Sequence, residues 1–258
     1  MEATSNTTVK VPVQFYPPGF LDNLDKGSEG VFGLPTSEVA LVLVDTWNHS
    51  DPEEGQAPPK HTQNTQDLLH NCRENGIIVI HAPNHPVVDK YSQYHSIKET
   101  VQDFWPQEQP ENPPFLDWPP QDNDIYTQAR KMRSGSSVPS PTPNRNERDI
   151  SRFLLPLEDE YVLATHNEFR YVLWQHKIKL LLYAGGALNE CMQHRDTAIN
   201  ILAGIDSSRT GFTIVVLDDC SYAKSTPSMS EPDMIHAMLE YFKFKITFVG
   251  NSKQISFA

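Results

Sequence analysis

The chain reads as a three-layer α/β/α sandwich on a six-stranded parallel sheet, Rossmann-like in architecture. Three observations predict it. Apolar runs of strand length recur along the 258 residues, and several are apolar at every position, as strands buried on both faces require. Between them lie stretches with apolar residues at i, i+3, i+4 and i+7, the period of a helix with one buried face. The strand–helix–strand spacing is that of a crossover joining parallel strands.

Residues 1–38 are broken by Pro and Gly, with a short edge strand expected at Val9–Phe15. Val39-Ala-Leu-Val-Leu-Val-Asp45 is the first strong strand and ends in a carboxylate. Thr65, Leu68, Leu69 and Cys72 then mark a helix over Thr62–Asn75, stopped by Gly76. Ile77–His81 is the second strand and Glu160–Ala164 the third. Phe169, Val172, Leu173 and His176 give the next helix. Leu180–Gly185 is a buried strand, and Met192, Ile199, Leu202 and Ala203 predict one helix beginning near Cys191. Gly211–Asp218 is a strand, Met234, Ile235, Met238, Leu239, Tyr241 and Phe242 mark an amphipathic helix, and Lys245–Val249 closes the sheet. No Gly-x-Gly-x-x-Gly or phosphate-loop pattern is present.

Composition narrows the class. The net charge of −12 argues against nucleic acid and anionic membrane as partners. Three cysteines, Cys72, Cys191 and Cys220, are too few for a disulfide framework, and a reducing compartment, the cytoplasm, is expected. The N-terminus lacks the apolar core of a signal peptide, and no run approaches a membrane span. A single domain over 1–258 is expected, with an irregular Pro-rich insertion at about 86–148. Phe104, Trp105, Phe115, Trp118 and Tyr126 are too many aromatics for a solvated linker, so that insertion reads as an ordered excursion packed on the domain, as a lid or an oligomer contact.

Ligands of open parallel sheets sit outside the carboxyl ends of the strands. That rule selects Asp45, His81, Thr165–Glu168, Cys191 and Asp218–Asp219. Cys191 follows a strand and two glycines and opens a helix, where unpaired N–H groups and the dipole favour a thiolate. Asp45 could take and return its proton, and the N–H groups of Ala187 and Cys191 could form an oxyanion hole. The plainer readings stand beside these. A lone Cys is often a small buried hydrophobe, as Cys72 and Cys220 are expected to be, and an Asp at a strand end is often a turn former. His49, His81 and His85 could ligate a metal. No His-x-His or Asp-x-His pair follows Asp45, however, so they read as pocket walls and substrate hydrogen-bonders, with no metal and no cofactor. Trp47 and Asn48, in the loop after Asp45, join them as substrate contacts, together with Glu168 and Asn189.

Three pieces resemble the isochorismatase-like cysteine hydrolase superfamily, which includes nicotinamidases and related amidases. They are Leu41-Val-Leu-Val-Asp45, Gly185-Gly-Ala-Leu-Asn-Glu-Cys191-Met-Gln-His-Arg-Asp-Thr-Ala198, and Val215-Val-Leu-Asp-Asp-Cys-Ser-Tyr-Ala223. The order of elements matches from about Val39 to Val249, with 86–148 the poorly matched part. The resemblance implies Cys191 as nucleophile, Asp45 as proton carrier, the amides of Ala187 and Cys191 as oxyanion donors, and a cis peptide near Leu188. It also implies a small-molecule substrate (an amide, a ureide or a vinyl ether) and a homodimer or homotetramer.

One departure stands out. The family carries a Lys shortly after the third strand, where this chain reads Val162-Leu-Ala-Thr-His166-Asn-Glu168-Phe169. His166, if protonated, would be the replacement cation. Arg195-Asp196, one turn beyond Cys191, reads as an ordinary helix-face ion pair or as a pocket-facing group. A hydrolase of C–N bonds working through a Cys191 thioester is the first expectation. A non-hydrolytic binder using the same pocket, a vinyl-ether hydrolase, and a lyase with Asp45 as base and His81 or His166 as acid are the alternatives.

Overall fold

The computed structural model describes residues 7–17, 27–104, 128, 147–202, 212–245 and 247–258. The expected aromatics Trp105, Phe115, Trp118 and Tyr126, and Ala203 and Gly211, lie outside the described residues. The elements in chain order are β1 (Thr8–Phe15), β2 (Ser28–Pro35), β3 (Val39–Val44), α1 (Lys60–Glu74), β4 (Ile78–Ala82), α2 (Ser92–Phe104), β5 (Tyr161–Val162), α3 (His166–Gln175), β6 (Leu180–Gly185), α4 (Cys191–His194), α5 (Ile199–Leu202), β7 (Thr213–Ser221), α6 (Glu231–Lys245), β8 (Phe248–Gly250) and β9 (Ser256–Phe257).

The six expected strands are present as β3 to β8, and each neighbouring pair among them is parallel. Among the described residues the sheet nevertheless has nine strands and is mixed, in the order β2-β1-β8-β7-β6-β3-β4-β5 with β9 beside β1. The difference is at the N-terminus. β1 pairs antiparallel with β2 from Thr8↔Pro35 to Phe15↔Ser28, and also with β8 and β9, so it is an interior strand and β2 is the edge. β2 alternates half-buried and exposed residues and carries Gly30, Gly33 and Pro35, which hides it among turn signals but suits an edge strand.

Strands β3 and β6 are buried at all six positions each, and alternate residues feed two cores. Ala40, Val42 and Val44 pack with Phe169, Leu173, Met192 and Phe242 on the side of α2, α3, α4, α5 and α6. Val39, Leu41 and Leu43 pack with Leu68, Leu69 and Cys72 of α1 and with Ile150 and Leu154. Three layers result. The chain proceeds outward from β3 through β4 to β5, and outward from β6 through β7 to β8, so the strand order reverses between β3 and β6. That reversal opens a crevice at their carboxyl ends, where Val44 pairs with Gly185.

Part of the irregular segment is helical. Tyr94, Ile97 and Val101 of α2 are buried, and α2 packs against α3 and β5. The short strand β5 is tied to α1 by a buried ionic cluster just before it. Arg73 donates to both oxygens of Glu160 at 2.7 and 2.8 Å, and His81 Nε2 lies 3.0 Å from Oε2. Burial alone would raise the Glu160 carboxyl, but Arg73, His81 and the Leu157 N–H hold it down at about 2.

Two measurements test this framework. Gly185 has φ +107 and a Cβ there would meet the Val44 carbonyl oxygen at 2.2 Å. Gly185→Ala is expected to cost roughly 3 kcal/mol or more in urea unfolding, whereas Gly33→Ala, with open space around it, should cost under about 1 kcal/mol. For Glu160, a folded pKa of about 2 against an ordinary 4.5 means its contribution is full above 4.5 and is lost as pH falls toward 2. Glu160→Gln should therefore lower the urea midpoint strongly at pH 7, and the gap to the parent should narrow at pH 3.

Candidate active site

Asp45 follows β3 directly at the β3/β6 reversal. It has φ +44, a left-handed conformation that short polar side chains tolerate better than most. Its N–H donates to the Ala82 carbonyl and its carbonyl accepts from Trp47 N–H at 2.9 Å. The carboxylate is fully buried. Oδ1 accepts from Asn84 N–H at 2.9 Å, and Oδ2 accepts from Arg195 Nε at 2.9 Å and Nη2 at 2.7 Å. The Cys191 sulfur lies close enough to the same carboxylate for each group to shift the titration of the other. Burial raises the Asp45 carboxyl above its usual range, and Arg195, Cys191 and the Asn84 N–H offset part of that rise.

Cys191 opens α4 after the glycine pair. Gly185 is left-handed against Val44, and Gly186 leaves room for the Tyr222 ring, which a Cβ would meet at 2.3 Å. The Gly186–Ala187 peptide is cis, two residues before the position expected near Leu188. The Ala187 N–H faces the Cys191 sulfur, and the Cys191 N–H belongs to the first helical turn, which has no intrahelical acceptor. These are the two amides expected at an oxyanion.

The expectation that the helix start favours a thiolate is corrected. The thiol is pushed up to about 11, first by burial and then by the Asp45 charge and hydrogen bond, with Arg195 and the Ala187 N–H offsetting part of it. α4 has only four residues, too short for much of a dipole, while a carboxylate in contact opposes a second negative charge. The single helix expected after Cys191 is also two short helices. The chain leaves α4 at Arg195, which has φ −82 and ψ 162, and resumes at Ile199. That break carries the Arg195 guanidinium back over the site, with Nη2 3.6 Å from the Cys191 sulfur. The helix-face reading of Arg195 is thus replaced by a bidentate pair with Asp45. In sequence its signals were the i+4 spacing from Cys191 and the need for a cation where the Lys is missing.

His166 stands in the first turn of α3. Burial, then the Arg170 charge, keeps its imidazole below the usual value, with Asp196 offsetting part of that. Its Nδ1 is buried with no hydrogen-bond partner among the described residues. A neutral ring cannot supply the cation, and the positive charge on Asp45 comes from Arg195. Glu168 is not free for substrate either. It closes a capping box with Thr165, its Oε2 accepting from the N–H groups of Ala164 and Thr165 at 3.0 Å each. The Thr-x-x-Glu spacing was a readable sign of that role.

His81 is fully buried and serves the Glu160 cluster, and burial holds its imidazole below the usual value. His85 is half-exposed and pairs with Asp89 at 2.8 Å. Asn189 is pinned to the main chain of Lys224 through both ends of its amide, and Asn48 likewise to residues 147 and 149. Trp47 is buried and lines a cavity of about 20 Å³ with Thr46, His61, Gly185 and Tyr222, room for about one water. His49 is partly buried and kept below its usual pKa, first by burial and then by the Arg148 and Lys224 charges. Tyr222 and His61 were not anticipated. Their rings lie 5.2 Å apart, and burial, with Cys191 and Asp45 nearby, raises the Tyr222 hydroxyl.

No family model matches the sequence, and no curated protein matches it. Solved structures do match. A cysteine hydrolase from Pseudomonas syringae pv. phaseolicola 1448A is 15% identical, with 86% of this chain and 92% of that one covered at a TM-score of 0.50. An isochorismatase-like hydrolase from Alkaliphilus metalliredigens is 16% identical over 84% of this chain and 96% of that one, at 0.47. At such identity the first likeness is one of fold: this chain shares the fold of that cysteine hydrolase. No helix among the described residues is long and apolar enough to cross a membrane.

The electrostatics give opposite signs for two substitutions. Arg195→Gln removes a charge that favours the thiolate, so the thiol moves above 11 and iodoacetamide alkylation of Cys191 at pH 9 should slow about tenfold. Asp45→Asn removes the opposing charge, and alkylation at pH 9 should accelerate by a similar factor. Mass spectrometry of the Cys191 peptide reads both, and a change of the same sign in both variants contradicts the arrangement.

Proposed function

We propose that the protein is a cysteine hydrolase that cleaves a C–N, amide-like bond of a small molecule through a thioester at Cys191. The observation that carries the reading is one buried carboxylate, Asp45, held in two hydrogen bonds by the Arg195 guanidinium, which also lies 3.6 Å from the Cys191 sulfur. A thiol raised to about 11 is protonated at rest, so it must lose its proton as it attacks, and the neighbouring Asp45 carboxylate is the base that takes it. Sulfur attacks the carbonyl carbon as Asp45 takes the proton. The oxyanion that forms meets the N–H groups of Ala187 and Cys191. The C–N bond then breaks as Asp45 gives the proton to the leaving nitrogen, and a thioester remains. Water attacks the thioester, Asp45 takes one of its protons, and that proton returns to sulfur as the acid departs.

Arg195 fills the place first assigned to His166. It keeps the carboxylate ionised against burial and stays charged throughout, since a guanidinium does not release its proton in this range. The proposal needs no cofactor. It has a single domain working in the cytoplasm as a homodimer or homotetramer, a setting that three free cysteines and an acidic chain favour.

An amide panel with mass detection of an acyl adduct on Cys191 tests the reading. Turnover is expected from the parent, loss of detectable turnover from Cys191→Ala, and a fall in kcat of about 10²–10⁴ from Asp45→Asn. Turnover unchanged in Cys191→Ala overturns it. Ligand binding with no adduct on any amide favours the non-hydrolytic binder.

A further inference from the structure

We infer that the pocket takes a small amide that also bears a carboxylate, and that the Arg148 guanidinium anchors this carboxylate; the word substrate here rests on the hydrolase reading. Arg148 is fixed to the loop leaving Asp45. Asn48 Nδ2 donates to the Glu147 carbonyl, Asp149 N–H donates to Asn48 Oδ1 at 2.9 Å, and Lys90 Nζ donates to the Arg148 carbonyl at 2.6 Å. Its guanidinium carbon lies 5.1 Å from the centroid of the Trp47 ring. Stacking uses the face of a guanidinium and leaves its N–H edge free, and that edge fits the two oxygens of a carboxylate.

The charges around it are already matched. Asp45 pairs with Arg195, Glu190 with Lys224, and Asp149 with Lys90 and Tyr91. Asp51 accepts from Ser151 and from the Arg152 N–H. Among the described residues no carboxylate lies within ion-pair distance of Arg148. Its field reaches His49 and the Tyr222 hydroxyl, and that hydroxyl also feels Cys191 and Asp45. Trp47, on which Arg148 rests, lines the same cavity as Tyr222 and as Gly185, where the nucleophile's turn begins. In a chain of net charge −12, an arginine held on a buried ring with no acidic partner among the described residues is a local reversal of sign. An anion would be drawn there and repelled elsewhere.

Two alkylating agents of nearly equal shape test this without any turnover. Iodoacetate carries the carboxylate and iodoacetamide does not, and in both reactions the Cys191 sulfur bonds to the methylene carbon as iodide leaves. Because one thiol serves both, the ratio of the two rate constants is independent of its ionisation. That ratio at Cys191 is expected to exceed the ratio for free cysteine at the same pH by about tenfold, and to fall with added salt. Arg148→Gln should bring it down by about the same factor, Arg148→Lys should keep part of it, and Lys179→Gln, at the opposite end of β6, should leave it alone. A ratio equal to that of free cysteine in the parent overturns the inference whether or not the variants fold, and so does an undiminished ratio in folded Arg148→Gln. Anion preference without turnover of any amide supports this inference and removes the hydrolase reading. Turnover without anion preference does the reverse.

Discussion

A carboxylate with no exposed surface has to be satisfied by protein groups alone, and the carboxyl edge of this sheet is arranged around that requirement. Asp45 takes three N–H groups, one from the chain after β4 and two from a guanidinium that arrives from beyond β6. The strands must therefore reverse order at β3 and β6, because only there do the turns after β3, β4 and β6 meet. The left-handed Asp45, the left-handed Gly185 beside the Val44 carbonyl, and the break after α4 are local costs of the same arrangement. Such strain persists only where the surroundings over-determine it. Here the buried β3 and β6 strands supply the rigidity.

The same carboxylate governs the sulfur. A reactive cysteine can be prepared as a standing thiolate by positive surroundings, or kept as a thiol beside a base that takes the proton on demand. Burial and the Asp45 charge place Cys191 in the second group. Arg195 moderates both partners at once, lowering the carboxyl and the thiol together, so the proton lies between two groups that have both been pushed upward. Tyr222, wedged over Gly186 and against His61, keeps one wall of this space closed.

The core was legible in the sequence because it depends on patterns only a few residues long. Strands β3, β4, β6 and β7 announce themselves as apolar runs, and α1 and α6 as periodic stretches. β2 was not, because a half-exposed edge strand with two glycines and a proline has no apolar face to read. Asp45 and Cys191 were placed by the rule for strand ends, and the fold puts them in contact. The side chains around them were harder, since His81, Glu168 and Asn189 spend their polar atoms on Glu160, on a helix cap and on the main chain of Lys224. Such partners are distant in sequence or need cap geometry to be recognised. Arg195 was hidden by its own neighbours, because Met192, Ile199 and Leu202 keep a helical period across a segment where the helix is broken.

The choice of arginine at position 195 fixes the ledger of mobile hydrogens. A lysine in that place could lend its own proton to a departing group, and a histidine could arrive with or without one. A guanidinium does neither. Between the carboxylate and the sulfur there is one transferable hydrogen, so Arg195, Asp45 and Cys191 together carry a net charge of zero whichever of the two acids holds it. Below the titration of the thiol and above that of the carboxyl, the cluster behaves as a neutral body through which a hydrogen is relayed. Its inner transfer is then coupled to the isotopic composition of water rather than to the salt around it.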